Sequence, residues 1–213
     1  DYNVGVGYQA LASITTGYNN AGFGYQALSS ITTGFKTTAV GYQALRNNTT
    51  GEDNVAVGHQ ALATVSTADQ NVAIGRGTLF NNTAANQTAA GHSAMYENTT
   101  GTGNTAFGYS ALYNNTTASY NTAVGYQALN DANRTADANA YNTAVGYLAG
   151  NTGTNDVTTG DKNVLVGAST AASGAAASNQ IVIGYGASGH GDNIAVIGNG
   201  NLTAIHPSDH DEV

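Results

Sequence analysis

Asn121-Thr-Ala-Val-Gly-Tyr-Gln-Ala-Leu129 decides the fold, because the chain repeats it with small changes from end to end. Asn54-Val-Ala-Val-Gly-His-Gln-Ala-Leu62 and Asn104-Thr-Ala-Phe-Gly-Tyr-Ser-Ala-Leu112 are two near copies. Aligned on the central glycine, the copies fall at Gly7, Gly24, Gly41, Gly58, Gly75, Gly91, Gly108, Gly125, Gly146, Gly167, Gly184 and Gly198. Successive spacings are 17, 17, 17, 17, 16, 17, 17, 21, 21, 17 and 14 over a chain of 213 residues. A short, sustained period of this kind is the mark of a solenoid, whose repeats bury apolar surface only by stacking on one another.

Each slot of the repeat has a physical reading. Asn stands four places before the glycine at 3, 20, 54, 71, 104, 121, 142 and 163, with Gln87 and Gln180 as amide substitutes. Stacked amides bond to their counterparts above and below and so favour in-register stacking. Val, Ile or Phe precedes most of the glycines, and the glycine marks a bend or a close backbone approach. Tyr-Gln-Ala-Leu predicts a second short strand with two distinct faces. Turns such as Thr32-Thr33-Gly34 and Thr116-Thr117-Ala118 then close the coil.

Seventeen residues are too few for a strand and a packed helix, and no segment has a helical apolar period. The prediction is an all-β chain, a β-solenoid (β-roll) of about twelve coils, with the repeat domain over 1–205. Residues 206–213 read as a linker or the start of a following module. Coils about 4.8 Å apart give a rod on the order of 50 Å long. The 21-residue spacings predict loops near 131–140 and 151–161. A Leu stripe at 11, 28, 45, 62, 79, 112 and 129, with Met95, adds to the one before the glycine. One apolar stripe is expected to fill the coil and another to pack on neighbouring chains, which predicts a homo-oligomer.

Composition narrows the partners. Only 8% of residues are charged, the net charge is −8, and five basic residues offer little to a phosphate backbone, so nucleic acid is a poor partner. There is no cysteine for a disulfide or thiolate site. No apolar run reaches the 18 residues of a membrane span, so no membrane insertion by this segment is expected. The chain opens inside a repeat and reads as a piece of a longer polypeptide.

The run Asn-Thr-Ala-Val-Gly-Tyr-Gln-Ala-Leu resembles the repeats of trimeric autotransporter adhesin heads, which carry an Asn-x-Val/Ala-x-Gly core. It is still more similar to the longer-period variants in bacteriophage tail fibres and large surface proteins of aquatic bacteria. The resemblance covers residues 3 to about 200. It implies left-handed β-rolls with three identical chains around one axis, displayed outside the cell or on a virion and used for attachment. The period of 17 departs from the shorter one of adhesin heads, which leaves the number of chains open.

Chemistry-bearing candidates are few. Gly184-Tyr-Gly-Ala-Ser-Gly189 spells a dinucleotide fingerprint, but its glycines belong to a repeat that returns to a strand, where a fingerprint needs a helix. Gly91-His-Ser-Ala-Met95 resembles a nucleophile elbow without its last glycine, and no His–Asp pair falls beside Ser93. His206, Asp209 and His210 are weak metal candidates in the tail, which reads as a solvated linker. Asp53, Asp69, Asp161 and Asp192 are too sparse for a calcium ladder. Asn-x-Thr triplets at Asn48, Asn86, Asn98, Asn115, Asn133 and Asn201 read as turn chemistry before glycosylation.

Tyr8, Tyr25, Tyr42, Tyr109 and Tyr126 form a ladder, continued by Tyr147 and Tyr185. It serves either as packing between chains or as a stacking platform for a cell-surface glycan or receptor. The function expected is that of a structural or adhesive segment of an extracellular fibre, with no cofactor and no enzymatic role. The alternatives are a glycan-binding module on the same scaffold and a tail-fibre shaft used in host recognition.

Overall fold

The computed structural model describes residues 2–133 and 139–202. They form twelve three-residue strands, β1 (Val4–Val6) to β12 (Ala195–Ile197), stacked in chain order as one parallel sheet with no helix. This is the β-solenoid expected from the period. Register holds wherever the spacing changes. Across a 21-residue step Thr122, Ala123 and Val124 pair with Thr143, Ala144 and Val145. Across the 14-residue step Ile181 still pairs with Ala195. Extra residues are therefore looped out, and the strand contacts stay fixed.

One expectation needs correction. Tyr-Gln-Ala-Leu is a turn, so each coil has one strand and not two. Gln26 and Leu28 take left-handed backbone angles (φ 55° and 52°), and the equivalent Gln and Leu of other coils do the same. Between them the peptide direction reverses. Gln26 N–H donates back to Tyr8 C=O at 2.8 Å, while Leu28 N–H donates forward to Ala44 C=O at 3.1 Å. The turn thus bonds both neighbouring coils, as a strand would. Left-handed geometry costs a non-glycine residue about 1 kcal/mol, close to the net gain of about 1 kcal/mol from a hydrogen bond. The Leu side chain supplies the remaining stabilisation by filling the coil.

The interior is narrow and filled to suit. The middle residue of each strand points inward and is Ala in most coils, as at Ala39, Ala56, Ala73, Ala106 and Ala123, all fully buried. Leu28, Leu45, Leu62, Leu79, Met95, Leu112 and Leu129 are equally buried, so the Leu stripe fills the coil of a single chain. Volumes trade places late in the chain. Gly150 stands in the Leu slot, and a Cβ there would lie 2.9 Å from Leu165, which has taken an Ala slot in the next coil. Val157, inside the 151–161 loop, turns back into the core and is fully buried.

The repeat glycine is demanded twice over. At Gly41 φ is 135°, and a Cβ would sit 2.5 Å from Gly58 C=O in the coil above. Gly167 is confined in the same way, at 2.7 Å from Gly184 C=O. Gly174 has open space around it and an ordinary φ. Gly41→Ala is accordingly expected to cost about 3 kcal/mol or more, and Gly174→Ala less than about 0.5 kcal/mol. Urea unfolding of the two variants beside the parent chain measures the difference.

Candidate functional site

Two features of the solenoid carry its chemistry: a buried amide column that holds the coils together, and an exposed face that the coils jointly present. The amide column lies just before the strands. Asn104 Nδ2 donates to Ala118 C=O at 2.9 Å, tying the start of the coil to its end. Its Oδ1 accepts the N–H of Asn121 in the next coil, also at 2.9 Å. The pattern recurs from Asn20 to Asn163, with Gln87 spanning the same gap to Gly101, except that Asn71 and Asn121 keep only the bond to the next coil and leave a buried Nδ2 without a partner among the described residues. Thr37 replaces the amide once and reaches Gly51 C=O with its hydroxyl. Asn104→Leu is expected to destabilise by about 2–4 kcal/mol, because two buried backbone groups lose their partners. A lowered thermal midpoint with an unchanged far-ultraviolet spectrum at 20 °C is the expected readout.

A second amide column accounts for three glycosylation triplets. Asn98 and Asn115 are fully buried, with Asn115 Nδ2 on Asn98 Oδ1 at 2.9 Å and Asn98 Nδ2 on Asn82 Oδ1 at 2.7 Å. Asn48 is buried as well and caps Gly51 C=O. Asn86 and Asn201 are exposed. The sparse acids are also employed by the scaffold. Asp69 accepts from the Glu52 N–H at 2.8 Å and Asp192 from the Ser178 N–H at 2.8 Å, while Asp161 pairs with Lys162 at 3.0 Å. Among the described residues no three His, Cys, Asp or Glu gather as metal ligands. His206, Asp209 and His210 lie outside the described residues, as does 134–138 of the first loop.

The exposed face begins with the strands themselves. Their first and last side chains point outward, giving a column of Val, Ile and Phe before the repeat glycine. Phe23, Val40, Val57, Ile74, Phe107, Val124 and Val145 are all exposed, in a fold whose Leu column is closed to water. Beside them runs the aromatic ladder. Tyr8, Tyr25, Tyr42 and His59 stack at 4.9–5.2 Å between ring centroids. His92, Tyr109, Tyr126 and Tyr147 stack at 5.1–5.4 Å. Arg76 occupies the rung between the two runs and approaches His92 Nε2 at 3.4 Å. Because the rings stack on one another, their faces are already occupied and their edges and hydroxyls meet the solvent.

Shorter aromatic stacks lie elsewhere on the coil, Tyr18–Phe35, Phe80–Tyr96–Tyr113 and Tyr120–Tyr141. They are hidden in the sequence, since they occupy slots that polar or small residues fill in most copies. Burial, and then the Glu97 carboxylate, raise the Tyr113 phenol above its ordinary pKa.

Ser93 has a histidine beside it after all. Its Oγ lies 2.9 Å from His92 Nδ1. A guanidinium only donates, so Arg76 at Nε2 leaves the ring proton on Nδ1, where it points to Ser93. The serine oxygen therefore accepts and has no base to activate it. Fluorophosphonate probes are expected to leave Ser93 unlabelled at pH 7, as read by intact mass. The fingerprint-like 184–189 is likewise a coil bend followed by turns, with Gly184 at φ 127° and Gly186 at φ 61°.

Comparison with protein-family models, with curated proteins and with solved structures finds no match for this chain.

Proposed function

We propose that this chain is a structural segment of an extracellular attachment fibre, a shaft that self-associates with identical chains along its sheet face. The observation that carries the reading is the exposed column of Val, Ile and Phe, interrupted only at Ala90 between Phe23 and Val145, bordered by two runs of stacked aromatics. An apolar strip this long on one side of a chain marks an interaction surface. The placement outside the cell rests on the repeat's resemblance to surface adhesins and tail fibres.

Glycan recognition by the ladder is the competing reading. Sugar rings stack on aromatic faces, and here each face is taken by the next ring except at the ends of the two runs. The loop at 151–161 offers less recognition surface than its length suggests, since Val157 is buried and Thr158, Thr159 and Gly160 N–H groups are all spent on Ala175 C=O.

A shaft tolerates shortening by whole coils, because each coil bonds only to its neighbours. Removing residues 37–70, two complete coils, is expected to leave the circular dichroism spectrum and the oligomeric state unchanged and to shorten the particle by about 10 Å. The shortened and parent segments should both fail to compete with attachment by the intact fibre. Competition by the isolated segment, lost on trimming the loop at 151–161, would instead make the segment itself the binding module.

A further inference from the structure

The glutamine that follows the aromatic ladder forms a hydrogen-bonded file of its own along the first coils. Gln26 Nε2 donates to Gln9 Oε1 at 2.8 Å, Gln43 Nε2 to Gln26 Oε1 at 2.9 Å and Gln60 Nε2 to Gln43 Oε1 at 3.2 Å. Gly77, Ser93 and Ser110 then hold that slot, and Gln127 resumes it. Over the same coils the slot three residues further along turns aromatic, as Phe80, Tyr96 and Tyr113.

The two changes are one exchange of volume. The side chain in the later slot leans over the smaller slot of the coil before it. A Cβ on Gly77 would lie 3.3 Å from the Tyr96 ring, and Asn130 Nδ2 donates to Ser110 C=O at 2.9 Å. Rings thus replace glutamines as the cover of the turn. The exchange fails at its upper end, where Ser110 is short and Asn130 brings no ring. An open groove of about 450 Å³ remains there, with Tyr109 and Tyr113 at its sides and Asn114, Gln127 and Asn130 around its end. Small-molecule sites span roughly 300–1,000 Å³.

The groups around this groove are set to receive a ligand. Ser110 is only 6% exposed and lines the groove, and its Oγ has no hydrogen-bond partner among the described residues, whereas Ser93 is engaged by His92. Gln127 has lost the glutamine below it, and its amide also lacks a partner among the described residues. Tyr113 ends its stack, so one face of its ring carries no other ring. No Lys or Arg lines the groove, and the Asp131 carboxylate holds Asn114 at its edge.

We propose that this groove binds one neutral pyranose sugar unit. A pyranose offers an apolar C–H face to the free face of Tyr113. Its hydroxyls both donate and accept, as Ser110 Oγ and the Gln127 amide require. An apolar ligand leaves those two groups unsatisfied. A phosphate or an acidic sugar meets no lysine or arginine and is repelled by Asp131. A single open groove holds one sugar unit at about millimolar strength, too weakly to displace an intact fibre. The site lies beyond the ladder from the Val/Ile/Phe column, and the self-association proposed above neither forms nor requires it.

Saturation-transfer NMR on the whole chain tests it, with methyl glycosides of glucose, galactose, mannose and N-acetylglucosamine at about 10 mM. A sialic acid and a phosphorylated hexose serve as charged controls. At least one neutral glycoside is expected to receive saturation, and the charged sugars none. Ser110→Gln, which restores the residue used in other coils, is expected to weaken binding at least tenfold with an unchanged circular dichroism spectrum. Tyr113→Ala is expected to do the same, and Tyr25→Ala, on the long ladder, to leave binding unchanged. Sedimentation of the same samples reads self-association separately, so the two proposals fail independently. Failure of every neutral glycoside to bind, equal binding of the charged sugars, binding that survives Ser110→Gln or Tyr113→Ala, or binding lost with Tyr25→Ala would each overturn the inference.

Discussion

Everything in this molecule depends on satisfying backbone polar groups along the axis when each coil has only three residues of strand. A buried N–H or C=O without a partner costs about 1–3 kcal/mol, and a 17-residue coil presents several on every side. The chain meets the demand in three ways. Strands pair in register, turn peptides reverse direction between left-handed residues, and an amide column seals the start of the coil to its end. The Thr turns take part too, with Thr32 Oγ1 on Thr49 C=O and Thr99 Oγ1 on Thr116 C=O. Hydrophobic packing is secondary here, since a coil this thin holds little more than one Leu and two Ala.

That constraint explains the composition. Glycine is required at the bend because the coil above passes within a Cβ's reach. Alanine is required inside the strand because the tube is narrow, and a larger residue there, Leu165, is accompanied by Gly150 one coil below. Asn and Thr are abundant because they are short side chains able to reach a neighbouring coil's backbone. Charge is scarce because few side chains are left over from these duties. Where a slot is released from them, on the outer face and its margins, aromatic and apolar residues appear instead.

The sequence was most legible where a slot has one physical job. The period, the parallel stacking, the glycine bend and the amide column could all be read from the recurrence of Gly7 and Asn3 and their counterparts. The turn at Tyr-Gln-Ala-Leu was misread because alternating polar and apolar residues describe a strand and this turn equally well. A signal was present in the exceptions. Gly77 and Gly186 stand in the Gln slot, Gly150 in the Leu slot and Gly103 in the slot of Tyr120, and glycine is the natural occupant of a left-handed position. The outward direction of the Val/Ile/Phe column was equally hidden, since an apolar stripe does not announce which side of a coil it lines. The His92–Ser93–Arg76 arrangement depends on neighbours sixteen residues apart and needed the fold to become visible.

The hydrogen bonds between coils run along the rod, and this gives the molecule a particular mechanical character. Tension on the two ends of a single chain loads those bonds at the outermost coil first, because each coil is held only by the one next to it. Rupture then advances one coil at a time, and each release frees about 17 residues, or some 55–60 Å of extended chain. Such a tether lengthens many times over before it parts, and it dissipates work at each step. In the shaft role proposed above, this would make the segment a load limiter as well as a spacer.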